Sequence, residues 1–214
     1  PFTRTNSKLG SNYKSSSFYI FRGVFMEEII EIIYKEVKRR CLLPTNAYGI
    51  GAWDHHIKLV YEIAIDIYKQ YGAEYDIVAL ASLLHDIASV TNKDYTEEHH
   101  IIGANIAEEL LKQYNLPNDK IELIKLCILN HRGSRLKEKT TPEEVCIADA
   151  DAMAHFYSVP SLLRMVYVEK GMSIDDGAEF VCNKLERSYN KLSNRGKEII
   201  TPHYESAKIL LKKK

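Results

Sequence analysis

The chain has 214 residues, the length of one domain with or without a short appendage. Apolar residues make up 45%, enough for a core, and 29 basic residues balance 29 acidic ones. That balance gives no global field to attract a nucleic-acid polymer or an anionic membrane, and no apolar run approaches the roughly 20 residues of a membrane span, so neither partner is expected. An anionic ligand must be met by local charge. The four cysteines, Cys41, Cys127, Cys146 and Cys182, form no C-x-x-C pair, which argues against a zinc finger and for free thiols in a reducing, cytoplasmic setting.

Residues 1–25 hold Arg4, Lys8, Lys14 and Arg22, no acid, and many serines and aromatics. They read as a flexible or non-native N-terminal segment, with a transit-like segment as the alternative, ahead of a domain over 26–214. A helix is expected from Met26 to Arg40, with Ile29, Ile30, Ile33 and Val37 on one face. Pro44, Asn46, Gly49 and Gly51 then mark a loop. Asp54 can cap a helix whose stripe holds His56, Val60, Ile63, Ala64 and Ile67, ended by Gly72.

A third helix is expected from about Glu74 to Ile87. Further helices follow from Thr96 to Gln113 and from Pro117 to Asn130. Thr141-Pro142-Glu143-Glu144 is a strong helix start: a cap, a proline in the first turn, and a glutamate three residues after the cap. Ser173-Ile174-Asp175-Asp176 opens a helix through Lys191, and Pro202 begins or interrupts the last one. Alternating strand patterns bounded by turns are missing, so the expected fold is all-α, a single irregular helical bundle.

His56, the pair His85-Asp86 and Asp151 stand in or beside these apolar patterns, where a polar group needs a reason to be. All four can ligate a divalent cation, and a catalytic cation requires such groups to converge from different elements. Adjacent helical residues point about 100° apart, so His85 and Asp86 can serve one ion only near a helix end or from opposite sides of the ion, and their placement at the end of the apolar pattern permits the first.

In order, His56-Ile57-Lys58-Leu59-Val60, Leu83-Leu84-His85-Asp86-Ile87-Ala88 and Ala148-Asp149-Ala150-Asp151-Ala152-Met153 resemble the HD-domain superfamily of metal-dependent phosphohydrolases. The resemblance covers about residues 52–156, and Gly196-Lys197-Glu198-Ile199 is similar to the tail of small stand-alone members. It implies an all-helical fold, a divalent ion held by His56, His85, Asp86 and Asp151, and hydrolysis of a phosphoester or phosphoanhydride of a small molecule, above all a nucleotide. Asp86 or Asp151 would orient the attacking water.

His55 is the alternative to His56, and Asp149 the alternative to Asp151. His99 and His131 match histidines that in relatives bind a second metal or the substrate phosphate, so one or two ions are implied. Manganese, iron, cobalt, nickel, zinc and magnesium are not distinguished. Lys58, Lys93, Arg132 and Arg135 are candidate phosphate contacts by proximity in sequence alone. His55, His100, His155 and His203 read as surface or satisfied core residues, and Trp53 as packing. The alternatives are a di-iron oxygenase built on the four histidines and two aspartates, and a non-catalytic nucleotide-binding signalling domain. Oligomeric state is open.

Overall fold

The computed structural model describes residues 13–132 and 139–212, with side chains from Phe25 onward. Among the described residues the architecture is all-α, with no strand. Helix α1 (Tyr13–Cys41) begins well before Met26 and buries Ile29, Ile30, Ile33 and Val37. A loop with Gly49 and Gly51 at positive φ leads into one wide π-helical turn (Trp53–Ile57), continuous with α2 (Lys58–Tyr71). The α2 stripe of Val60, Ile63, Ala64 and Ile67 is buried, and Gly72, in the left-handed region, ends the helix.

Helix α3 (Tyr75–Leu84) is the centre of the bundle: every residue from Ile77 to Leu84 is buried. The single helix expected through Ile87 breaks at His85-Asp86, where Asp86 takes φ −113° and ψ 20°, and α4 (Ile87–Thr91) follows as a separate helix. An unbroken apolar pattern cannot reveal such a break, because both halves are buried. Helices α5 (His99–Lys112) and α6 (Asn118–Asn130) pack as an antiparallel pair against α4 and α3. α5 starts three residues later than expected: after a 3₁₀ turn at Lys93–Tyr95, capped by Asn92, residues 96–98 form a bend and a turn before the helix begins.

Helix α7 (Pro142–Tyr157) opens with the full capping box: Glu144 N–H donates to Thr141 Oγ1 at 3.2 Å, and Thr141 N–H donates to Glu144 Oε2 at 3.0 Å. It packs along α2. A short α8 (Val159–Arg164) runs into a second π-helical turn (Met165–Glu169), both unmarked by any sequence signal. Ser173 caps α9 (Ile174–Lys191), and Ser193 caps α10 (Asn194–Leu211), which passes through Pro202. Cys41, Cys127 and Cys146 are buried free thiols, and burial pushes Cys41 and Cys146 up to about 12. They are inert packing groups. No described helix is long and apolar enough to cross a membrane.

Candidate metal centre

Three buried or half-buried histidines share one device. His85 Nδ1 donates to the Ser82 carbonyl at 2.7 Å, His99 Nδ1 to the Thr96 carbonyl at 2.7 Å, and His131 Nδ1 to the Ile128 carbonyl at 2.6 Å. A carbonyl only accepts, so each Nδ1 carries the proton and each Nε2 is left with a lone pair. In every case the acceptor lies three residues earlier, which turns the ring back over its own helical turn and aims Nε2 into the common centre.

His99 Nε2 and His131 Nε2 end 3.3 Å apart. Two lone pairs at that distance repel unless a cation sits between them. Protonation is a poor substitute at His99: burial lowers its pKa, and His131 lowers it further against the pull of Asp86.

Asp86 lies between two ligand groups. Its Oδ2 accepts from Tyr48 Oη at 2.8 Å, lies 3.0 Å from His56 Nε2 and 3.4 Å from His85 Nε2. Its Oδ1 lies 3.4 Å from His99 Nε2 and 3.6 Å from His131 Nε2, and is buried with no hydrogen-bond partner. Burial opposes the charge on Asp86, but positive charge on the His85, His131 and His56 side of the carboxylate, from protons or from a bound cation, holds its carboxyl well below the ordinary range. An ionised, buried oxygen without a donor is the kind of atom a metal satisfies.

The spacings fit as well. Ligands at 2.0–2.1 Å from a tetrahedral ion are about 3.4 Å from each other, and the separations here run from 3.0 to 3.7 Å. The donor set therefore suits a divalent ion in each group, His56–His85–Asp86 and Asp86–His99–His131.

Asp151 reaches the same cavity from α7, with Oδ1 3.7 Å from His56 Nε2. Burial disfavours its charge, but the neighbouring His155, His56 and His85 draw its carboxyl down to about 2. Asp149, two residues earlier, points elsewhere. It accepts from Tyr71 Oη at 2.7 Å and from Ser193 N–H at 3.0 Å, and it contacts Ser193 Oγ. Gly196 belongs to that arrangement, since a Cβ there would lie 2.5 Å from Asp149 Oδ2. Asp149 thus ties α7 to the start of α10.

The π-helical turn separates the neighbours His55 and His56. Its Lys58 N–H to Trp53 O bond widens the turn, so Trp53 and Ile57 are buried; His56 and His55 both line the cavity, but His55 is exposed and belongs to none of the metal-competent groups. Trp53 packs edge-on against Tyr34 at 4.6 Å.

Sequence reasoning missed several wall residues. Where the sequence suggests a surface or core residue, the His155 ring stacks on His56 at 5.9 Å and 17°, and its Nδ1 lies 3.0 Å from Ser188 Oγ. Burial, followed by Lys184, lowers it to about 3, so it is a neutral imidazole. With His56 and Asp151 it forms a third group of metal-competent atoms. Tyr48 was hidden in a loop. Asn46 builds that loop by donating to the Cys41 and Gly49 carbonyls and accepting from Tyr48 N–H. The spacing of Asn46 and Gly49 was the only clue.

Among the expected cations, Arg132 lines the cavity, with Nη1 donating to the Glu97 carbonyl at 2.6 Å. Lys58 and Lys93 do not line it. Lys58 is turned away on α2 and pairs with Glu62 at 2.6 Å, and Lys93 is exposed on its 3₁₀ turn. Proximity in sequence misled because two helical residues rotate a side chain by about 200°. Arg135 lies outside the described residues. Lys184, Lys191 and Arg164 supply charge to a wall that the sequence did not predict. The cavity as a whole has a volume of about 350 Å³.

Comparison with known proteins gives consistent matches. Residues 53–155 match the family model of the HD domain. Over 100 residues, 46% of this chain, the sequence is 31% identical to a bifunctional uridylyltransferase/uridylyl-removing enzyme of Erythrobacter litoralis, of which it spans 10%. An uncharacterized protein of Clostridium beijerinckii is 28% identical over 86 residues, 38% of this chain and 55% of that protein. The chain therefore spans less than two thirds of either relative. Among solved structures, Bacillus subtilis YpgQ in complex with ADP superposes with a TM-score of 0.59 at 18% identity, covering 82% of this chain and 90% of that one. That likeness concerns the fold.

Proposed function

Because the chain belongs to the HD-domain superfamily, whose members are generally metal-dependent hydrolases, we propose that it cleaves a phosphoester or phosphoanhydride of a small molecule, a nucleotide above all. His56, His85, Asp86 and Asp151 would hold the first divalent ion, and Asp86, His99 and His131 a second. The observation that carries this reading is the buried Asp86 carboxylate between two sets of inward-facing Nε2 atoms, with Oδ1 lacking any donor. The nucleotide reading is supported by the ADP bound to the solved neighbour.

A divalent ion in such a site would lower the pKa of a bound water far below its ordinary value and would offset charge developing on a phosphoryl group. The side chains do the rest. Asp151, held at about 2, is an acceptor throughout the neutral range, so it orients a water proton rather than storing one. His155 stays neutral beside it and adds no competing charge. Tyr48 fixes the rotation of the Asp86 carboxylate by donating to Oδ2. Arg132, at the cavity edge, offsets phosphate charge.

The test is release of phosphate or pyrophosphate from a panel of nucleotides and generic phosphoesters with manganese, cobalt, nickel or magnesium. No turnover with any of them would sink the reading. His85→Ala should abolish turnover with the helical fold retained.

The bridging position of Asp86 favours one second reading, a di-iron oxygenase. Anaerobic purification with iron quantification and oxygen-uptake measurements separates the two: a non-redox ion with no oxygen consumption leaves hydrolysis.

A further inference from the structure

Lys184 and Lys191 line the cavity from α9. They stand seven residues apart, two helical turns, with Ser188 between them on the same face. Ser188 Oγ meets His155 Nδ1 at 3.0 Å, so this face looks onto the Asp151–His155 side of the centre.

Paired lysines are common elsewhere on the surface: Lys58 with Glu62, Lys112 with Glu108, Lys125 with Glu108 and Glu122. Arg164, on the same cavity wall, is already engaged by Glu169. Among the described residues Lys184 and Lys191 make no such pair and no hydrogen bond. Lys184 is half-buried, and burial lowers its pKa; Asp151 opposes this and Lys191 and Arg187 add to it. Lys184 thus feels the Asp151 carboxylate only beyond ion-pair distance while it is repelled by Lys191 beside it, an arrangement that an anion relieves.

We propose that Lys184 and Lys191 form an anion subsite for the non-reacting phosphate of a substrate with two or more linked phosphates. The proposal rests on the hydrolase reading for the reacting phosphoryl group, which would lie against the His–Asp cluster. One phosphate brings about −1.5 to −2 charge, which divalent ions held by that cluster would offset. The two further ammonium groups call for more negative charge on the same molecule, and an anhydride-linked second phosphate provides it. The substrate class is therefore a nucleoside di- or triphosphate or a similar anhydride, rather than a monophosphate.

The test separates binding from turnover. The full chain is titrated calorimetrically with inorganic pyrophosphate and with inorganic phosphate, in chelator so that no metal bond contributes. Wild type should bind pyrophosphate more tightly than phosphate. Lys184→Met and Lys191→Met, which keep the apolar stem, should each weaken pyrophosphate binding by about tenfold, with Lys112→Met unchanged. With metal restored, Lys184→Met should raise KM for a nucleoside triphosphate by a similar factor with kcat little altered. Pyrophosphate binding that is unchanged in Lys184→Met, or equally weakened in Lys112→Met, overturns the subsite. So does a wild type that binds phosphate as well as pyrophosphate. A chain that binds pyrophosphate through these lysines yet hydrolyses nothing would instead remove the hydrolase reading and leave the subsite standing.

Discussion

The two walls of the cavity are held by different means. On the inner wall, His85, His99 and His131 are each latched by Nδ1 to a carbonyl of their own helical turn. The backbone that sets the helix also sets the ring. On the outer wall, His56, Asp151 and His155 are positioned by side chains from other elements: a ring stack, the Ser188 hydroxyl on α9, and Tyr48 on its loop beside Asp86. An inner wall so latched is arranged before any ion binds, because its geometry depends only on local structure. The outer wall depends on α9 and the loop for its placement, and α9 also brings Lys184 and Lys191. The second group of metal-competent atoms, Asp86–His99–His131, thus has both its histidines latched, whereas the first draws one, His56, from the wall held by tertiary contacts.

Asp86 joins the walls, so its removal should have the largest effect. Asp86→Asn keeps the shape and the Tyr48 contact but removes the charge shared by both ligand groups. Turnover should fall by at least about a thousandfold, with metal content reduced at both positions. Elemental analysis of the purified variant checks it; a variant that retained two ions would break the bridging description.

The walls can then be separated. His131→Ala removes an inner-wall ligand and should weaken one ion by about 10–100-fold or more while the other remains. Ser188→Ala only frees the His155 ring, and should leave metal content unchanged while raising KM a few-fold. If Ser188→Ala stripped metal as strongly as His131→Ala, the contrast between latched and adjustable walls would fail.

Asp149 and Asp151 sharpen the same contrast within one helix. Asp151→Asn should abolish activity with the melting temperature nearly unchanged. Asp149→Asn should do the reverse, since its carboxylate accepts from Tyr71 and Ser193 and anchors α10 behind the outer wall. Loss of those charge-assisted bonds costs about 2–3 kcal/mol, or roughly 5–10 °C in Tm for a domain of this size. Thermal melts and activity assays on both variants decide it.

Much of this was legible in the residues. The capping box at Thr141, the Ser173 cap and the Gly72 stop have local causes, and the structure has all three. The order His56, His85-Asp86, Asp151 rests on residue types that ligate metals, and these side chains converge on one cavity. Lys184 and Lys191 were not legible, because packing of α9 against α7 brings them to the cavity, nor was Tyr48, whose loop bonds back to Ser89 and Asp86. His155 stands one turn beyond Asp151 on α7, so its i, i+4 spacing was the signal available. The break between α3 and α4 was hidden for the opposite reason: Leu83, Leu84, Ile87 and Ala88 are buried on both sides of it, so the apolar pattern runs through unchanged. Distinguishing Asp151 from Asp149 likewise needed Ser193 and Gly196, some forty residues away.

The smallest effect concerns the seam between the walls. Asn130, next to His131 at the end of α6, donates to Glu144 Oε1 at 2.6 Å, while Glu144 Oε2 accepts from Thr140 and Thr141 at the start of α7. Burial opposes its charge, but the Asn130 amide and the Thr140 donors together hold its pKa below the ordinary 4.5. A depressed folded pKa contributes stability that is fully present above the unfolded value and is lost as pH falls through the folded one. Glu144→Gln keeps one acceptor and loses the charge, so it should be less stable than the parent by about 1 kcal/mol at pH 7. The gap should narrow below pH 4.5, where the parent's own glutamate takes up its proton. Denaturant midpoints for the two proteins at pH 7 and pH 4 measure this directly. A gap that stayed constant with pH would mean that Glu144 joins the inner and outer walls by shape alone.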